Sequence, residues 1–566
     1  MFYRDIIDEL KLWVLKTNRK PLVLRGARQV GKTTAIQLFA NDFDQYINLN
    51  LENESDRKLF EDFKSLKELV RAIFYLKNKS RDKGQTLIFI DEIQECPEAV
   101  RQLRYFYEEA PDLFVIAAGS LLETLFDKDF SFPVGRVEYL VMRPVSFREF
   151  LRAIGEVNAA NMLEEVPLPA YASVGLLKLF HIYTLVGGMP EVVRLYSETG
   201  DLSKLGDVYD SLLVSYLDDV EKYASHHSKV DVLRHVIQSA FVEGGTRVKF
   251  QGFGNSQYRS REVGEAFRTL EKAMLAQLVY PTTATKLPML PDKKKAPRLQ
   301  VLDTGLLNYY SGIQSDLIGV EDLTSEYFGK VAEHVVGQEL LSLHRSVLYR
   351  LPFWVREKRG ACAEVDFLFV FKGKLIPIEV KSGAKGKLRS LHQFMELSEY
   401  PVAIRLYAGA LNVQRVNAPS GRVYTLLNLP YYLTSQIGKY IEWVVGDEFV
   451  VSEPASVYGG VLEGVNRKGV QLSELVYEGV KNEVLRAIKV SGYKVVRSDV
   501  FNSLVVVMMF LFENQGVRTG VISEGVKIPL STLERHLRVL KLLELIEFRG
   551  APKTGGYFVT EHFRYW

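Results

Sequence analysis

Pro21-Leu22-Val23-Leu24-Arg25-Gly26-Ala27-Arg28-Gln29-Val30-Gly31-Lys32-Thr33-Thr34 is the stretch whose reading decides the fold. It fits G-x-x-x-x-G-K-[ST]. The apolar run Pro21–Leu24 reads as a short buried strand, and Ala35, Ile36, Leu38 and Phe39 read as a helix after Gly31. A phosphate-binding loop requires that strand–loop–helix setting. Its glycines let backbone N–H groups close round a polyphosphate, and the helix N-terminus adds partial positive charge. The expected contacts are Gly26, Ala27, Arg28, Gln29, Val30, Gly31, Lys32, Thr33 and Thr34. Lys32 would reach the β- and γ-phosphates of ATP, and the Thr33 hydroxyl would hold Mg²⁺.

Thr86-Leu-Ile-Phe-Ile90-Asp91-Glu92 supplies the partner strand: an apolar run ending in two carboxylates. Asp91 fits the metal side and Glu92 the activation of water. Ser120, after the strand Leu113–Ala118, is placed to sense the γ-phosphate. Arg136 is placed to add charge to the transition state, in its own site or in a neighbour's, and the latter would need a homo-oligomer. Strands at Gln45–Leu51, Leu113–Ala118 and Arg136–Met142 alternate with helices at Asp56–Asn78 and Pro97–Glu109. That alternation predicts a parallel sheet covered on both faces over residues 1–145. The capping box Ser146-Phe-Arg-Glu149 opens a helical lid over 146–225, broken at Gly187-Gly-Met-Pro190.

Residues 226–290 read as helix, loop, helix and short strand, which suits either a winged helix or a packing module between domains. The Pro/Lys-rich stretch Leu287–Arg298 reads as a boundary. A second α/β unit is expected over 300–445. There Ala363–Val370 and Lys374–Lys381 read as two strands of a hairpin turning at Lys372-Gly373, bringing Asp366 and Glu379 together with Lys381 two residues on. Glu333, with Glu339 as second choice, completes the set from an earlier helix. Asp366 and Glu379 would bind Mg²⁺ and activate water, and Lys381 would stabilise charge on an attacked phosphate. Gly409–Gly421 reads as a loop and Asn428–Val445 as a closing helical segment. Over 447–566 the pattern is helical, with a second capping box at Ser531–Glu534. A hairpin of Leu545–Arg549 with Tyr557–Thr560 follows, which is the order of a winged helix. Arg535 and Arg538 face away from its apolar seam.

The 566 residues are 47% hydrophobic and 25% charged, which is ordinary for soluble protein. Two cysteines, Cys96 and Cys362, suit a reducing cytosol. The longest apolar run, Leu504–Phe512, is too short to span a bilayer. A soluble, cytoplasmic chain without a membrane partner is expected. The net charge is only +3, yet Arg345–Arg389 carries eleven Lys/Arg against four Asp/Glu. Such a local excess points to a polyanion partner, and DNA is the expected one.

Gly26–Thr33, Phe89-Ile-Asp-Glu-Ile-Gln94, Gly119-Ser120, Gly135-Arg136 and Gly187–Pro190 together resemble a prokaryotic AAA-type ATPase family. Its members carry a C-terminal domain of unknown function with a nuclease-like fold. Leu302-Asp-Thr-Gly-Leu306, Phe328–Glu333 and Asn428-Leu-Pro430 continue the likeness as far as about residue 445. The resemblance implies a P-loop ATPase of the ASCE type. It also implies a PD-(D/E)xK, restriction-endonuclease-like domain similar to archaeal Holliday-junction resolvases, in which Gln393 stands where related nucleases carry a glutamine. The fold class is thus multidomain α/β: a P-loop sheet, a helical lid, winged-helix modules and the nuclease-like domain. Two function classes follow. One is an ATPase coupling hydrolysis to movement or Mg²⁺-dependent cleavage of DNA. The other is an ATP-controlled DNA-binding switch with an inert nuclease fold. A transport ATPase is disfavoured, because no LSGGQ-type signature or membrane segment appears.

Overall fold

The computed structural model describes residues 2–119, 135–219, 227–312, 326–358, 361–381, 388–446, 480, 484, 487, 488, 498–526, 528–550 and 555–560. Ser120 lies outside the described residues. The chain divides into two compact units, Met1–Trp443 and Val444–Trp566.

The first unit begins with β1 (Leu22–Arg25), β2 (Gln45–Asn50), β3 (Thr86–Asp91), β4 (Phe114–Gly119) and β5 (Glu138–Val141). They form one sheet in the order β2-β3-β4-β1-β5, parallel throughout. Every residue of β1, β3 and β4 is buried. Helices on both faces remove the need for a polar side, so these strands read as unbroken apolar runs. Edge strand β2 alternates instead. On one face, Ile88 and Ile90 of β3 pack with Leu103 and Phe106 of the helix Pro97–Glu109. Each such side chain contributes roughly 1.5–3 kcal/mol when fully buried. A parallel sheet gathers its strand C-termini along one edge, so Arg25 and Asp91 both emerge there.

The described residues of 146–225 are mostly helical, with longer helices at Ser173–Val186, Pro190–Thr199 and Gly206–Asp219. Ser146 and Glu149 form the capping box: the Ser146 hydroxyl accepts from Glu149 N, and Ser146 N donates to Glu149 Oε2 at 2.9 Å. Next come the helices His227–Glu243 and Ser260–Lys272, then β6 (Ala276–Val279) antiparallel to β7 (Arg298–Val301). Leu287–Arg298 is therefore not a boundary. Residues 287–297 belong to the loop of this hairpin and Arg298 opens β7, so a domain edge between 290 and 300 would cut the hairpin in two.

The helix Glu326–Ser342 leads to β8 (Trp354–Lys358), β9 (Ala361–Val365), β10 (Phe367–Phe371), β11 (Lys374–Lys381), β12 (Val402–Tyr407), β13 (Asn412–Asn417) and β14 (Val423–Pro430). A mixed sheet runs β10-β11-β12-β14-β13, while β8 and β9 pair separately. The turn at Lys372-Gly373 has φ of 45° and 76°, the two positive values that tight hairpins favour. Three expectations change. The strand expected over 363–370 is broken at Asp366, so β9 pairs with β8 and β10 with β11. Gly409–Gly421 contains β13, an edge strand. Gly409, Gly421, Asn417, Pro419 and Ser420 read as loop, and no residue of β13 is buried to give an apolar signal against that. Asn428–Pro430 ends β14, and helix begins only afterwards, at Tyr431–Gln436 and Ile437–Gly446.

In the second unit the helices Ser498–Glu513, Thr519–Val526 and Leu530–Leu542 precede β15 (Ile546–Arg549) and β16 (Gly556–Val559), an antiparallel pair. Leu504, Met508, Ile522, Leu537 and Leu540 share one core. Arg535 and Arg538 are exposed, as expected. The second capping box does not form, because the helix starts one residue after Pro529 and Ser531 falls inside its first turn. Most of 447–497 lies outside the described residues.

Candidate nucleotide site and acidic cluster

The phosphate loop leaves β1 at Gly26, where a Cβ would come within 2.5 Å of the Met142 carbonyl oxygen. Gly31 has φ of 91° and precedes the helix Lys32–Phe39, which has no side-chain N-cap. The helix's first amide groups thus point into the loop. Lys32 Nζ donates to the Gly26 and Ala27 carbonyls at 3.0 and 2.9 Å. Burial pushes its ammonium down to about 8, although Glu92 and Asp91 pull the other way. Thr33 Oγ1 donates to Asp91 Oδ2 at 2.7 Å, so the two expected metal contacts meet across β1 and β3. Burial also raises the Asp91 carboxyl. Glu92, at φ of 50°, accepts from Gln94 Nε2 at 2.6 Å. Arg4 Nη1 donates to Val30 O, and Tyr216 donates to Arg28 O. Arg28 pairs with Asp219 and lies 3.6 Å from Glu52. The loop is thus tied to the N-terminal segment and to the helix Gly206–Asp219. Lys32, Thr33, Asp91 and the loop amides could hold a magnesium nucleotide.

Arg136 is a correction for its own site. Glu138 pairs with Leu22, so Arg136 stands by the start of β1, a strand's length from the loop at its end. It is exposed and pairs with Glu108 at 2.8 Å.

The second centre assembles from distant segments. Asp366 sits at the bend between β9 and β10, and its Oδ2 accepts from Val380 N at 2.8 Å. Glu379 Oε1 accepts from Lys381 Nζ at 2.6 Å, while Glu379 Oε2 is buried without a partner. Burial first, and Asp366 second, push both Glu333 and Glu379 up to about 8. Burial raises Asp366 too, against Arg298 and Lys381. Burial alone would lower the Lys381 ammonium, but Glu379 and Asp366 outweigh it and raise it. Glu333, Asp366, Glu379 and Lys381 therefore share one electrostatic neighbourhood. Glu339 does not join them: it accepts from Phe147 N and the Tyr183 hydroxyl, both at 2.9 Å. Gln393 lies on the helix Arg389–Met395, and its Oε1 is buried without a hydrogen-bond partner.

Sequence reasoning missed Arg298. Its buried guanidinium donates to the Asp366 carbonyl at 2.7 Å and to Glu364 at 2.5 Å. It stands 3.8 Å from Asp366 Oδ1 and 4.0 Å from Glu333. No local pattern marks an arginine that packs against Phe353 and Phe367. Asp303 was also missed as a working residue. Its Oδ2 accepts from Gly188 N at 2.5 Å and from Gln338 Nε2 at 3.2 Å. A Cβ on Gly187 would lie 2.3 Å from Asp303 Oδ1. The quoted motifs Gly187–Pro190 and Leu302–Leu306 are thus two sides of one joint. Gln338 and Glu339 share a helix with Glu333, so that helix runs from the contacts with Tyr183 to the acidic cluster.

Residues 18–151 match the family model described as an AAA domain. This part of the chain is an AAA-type ATPase domain. Beyond the ATPase domain, residues 177–317 match a domain of unknown function (DUF8612), and residues 328–432 match another (DUF4143). Curated protein sequences give no match. Among solved structures, the chain is similar to PCH-2 of C. elegans at 13% identity and TM-score 0.23, covering 36% of this chain and 65% of that one. It is similar to the Aeropyrum pernix ORC1 protein, solved in complex with DNA, at 13% identity and TM-score 0.25, covering 54% and 90%. Drosophila ORC bound to DNA gives 12% identity and TM-score 0.20, covering 52% and 90%. Scores this low carry nothing from those proteins to this one. No described helix is long and apolar enough to cross a membrane.

Proposed function

We propose that the ATPase domain binds and hydrolyses Mg-ATP and that this drives a metal-dependent DNA-cleaving centre of PD-(D/E)xK type at Asp366, Glu379 and Lys381. The observation that carries the reading is the convergence of Glu333, Asp366, Glu379 and Lys381 from a helix, a strand break and a strand. At the ATPase site Lys32 neutralises the phosphates, Thr33 and Asp91 hold Mg²⁺, and Glu92 orients water, itself steadied by Gln94.

The orphaned Glu379 oxygen and the raised carboxyls suit a divalent cation, whose charge would favour the ionised forms. Among the described residues no three His, Cys, Asp or Glu groups are arranged to hold one ion. Asp366 and Glu379 would therefore supply two ligands, with water and phosphate filling the shell. Such an ion polarises a phosphodiester and activates water; Lys381 would steady charge on the attacked phosphate. The helix carrying Glu333, Gln338 and Glu339 is the proposed coupling element. The β15–β16 hairpin with exposed Arg535 and Arg538 supports a winged helix that contacts DNA phosphates.

One observation favours a second reading. The Arg298 guanidinium already compensates Asp366, Glu364 and Glu333, as expected of an inert nuclease fold in an ATP-controlled DNA-binding switch. The test is cleavage of linear, branched and single-stranded DNA with Mg²⁺ or Mn²⁺, with and without ATP. Asp366→Asn should abolish cleavage and leave ATP binding intact. If the unsubstituted chain cuts none of these, the switch reading replaces the first.

A further inference from the structure

A cavity of about 260 Å³ lies where the end of β1, the segment after β5, the hairpin β6–β7 and the loop after Ser342 meet. Ala27 at the root of the phosphate loop lines it, but none of Gly31, Lys32, Thr33, Asp91 or Glu92 does, so it adjoins the loop without including the residues expected on phosphate and metal. Five of its lining side chains are cations, and Glu271 is its only carboxylate. Arg143 forms part of its wall; its Nε donates only weakly, to the His344 carbonyl at 3.4 Å. Burial, then Arg345 and Arg350, push the Arg143 guanidinium down to about 10. Arg268 and Arg350 are exposed. Among the described residues, none of Arg143, Arg268 and Arg350 forms an ion pair with a carboxylate. Five cations gathered round one carboxylate leave a net positive charge, and a bound anion would relieve the repulsion among them. The remaining wall is partly apolar, with Met142, Met274 and Val347. Methionines beside arginines suit a flat ring next to a phosphate.

We propose that this cavity is a second nucleotide site, binding a small phosphorylated molecule with one flat ring. Arg143, Arg268 and Arg350 hold the phosphate, and the methionines cover the ring. Arg25 lines the cavity and directly precedes Gly26, and its carbonyl accepts from Met142 N at 2.7 Å. Occupancy is therefore felt at the root of the phosphate loop and alters ATP turnover.

The test is calorimetric titration of the full-length Lys32→Ala chain, whose phosphate loop is disabled, with AMP, GMP, CMP, UMP and inorganic pyrophosphate. If Lys32→Ala melts early, the unsubstituted chain saturated with a non-hydrolysable ATP analogue replaces it. At least one mononucleotide should bind at least tenfold tighter than pyrophosphate. The double substitution Arg268→Gln, Arg350→Gln should weaken that binding at least tenfold. Both arginines are exposed, so a melting curve can verify that the fold survives. Absence of binding by all four mononucleotides overturns the proposal. So does pyrophosphate binding as tightly as any nucleotide, or binding that survives the double substitution.

Discussion

At the end of β1, consecutive residues make the phosphate loop from their own backbone, and one hydrogen bond from Thr33 to Asp91 joins it to β3. At the acidic cluster, Arg298, Glu333, Asp366 and Glu379 come from four segments, and side-chain charges rather than backbone amides set the local field. The loop concentrates function in a few adjacent positions that tolerate little change. The cluster instead spreads charge over groups that compensate one another, so any single loss redistributes protons. Mutations should therefore act on chemistry at the first centre and on stability as well as chemistry at the second.

The largest effect expected is from Lys32→Ala. It removes the buried loop cation proposed to neutralise the phosphates, and turnover should fall by about 10²-fold or more, while the melting temperature changes little. ATP hydrolysis and a thermal melt read the two. Turnover near the original value would break the comparison at its stronger end.

Arg298→Gln should do the reverse. Removing one partner of a buried charge cluster typically costs about 3–5 kcal/mol, because the carboxylates left behind lose their compensation. A denaturant titration should show that loss, with ATP binding by the folded chain retained. A cost below about 1 kcal/mol would mean that the cluster does not depend on the guanidinium.

These two substitutions also mark how much was legible. Gly26–Thr33 was readable because a phosphate loop needs contiguous residues at fixed spacing between an apolar strand and a helix. The five-stranded sheet was readable because buried parallel strands are apolar runs. Asp366, Glu379 and Lys381 were legible as a spacing across a hairpin, although the strand break at Asp366 was not. Arg298 was illegible because its role depends on β7 pairing with β6 across an eighteen-residue loop whose Pro/Lys-rich part reads as a boundary. Asp303 stood inside a quoted motif, but its partner Gly188 is 115 residues away in sequence.

A smaller effect should come from pH and metal. Glu333 and Glu379 are raised in the folded chain, so it holds protons that the unfolded chain releases between about 4.5 and 8. Their contribution to stability is therefore present below that window and is lost as pH rises through it. A divalent cation binds the ionised carboxylates, so the gain in melting temperature from Mn²⁺ without nucleotide should be larger at pH 8 than at pH 6. Asp366→Asn should remove the gain. An equal gain at both pH values would leave the cluster without a metal role.

The smallest effect expected is from Arg136→Ala. Its guanidinium is exposed, pairs with Glu108 and stands by the start of β5, whereas the nucleotide loop lies at the strand ends. An exposed ion pair contributes little, and the strand's length separates this arginine from its own γ-phosphate position. Turnover of dilute protein should change by less than about twofold. The concentration series decides what a larger effect would mean. A loss of turnover seen at every concentration would show that Arg136 reaches its own site after a rearrangement. A loss confined to concentrations at which sedimentation shows assembly would place the arginine in a neighbour's site. The loop would then be incomplete within one chain, and both centres would be assembled from distant parts.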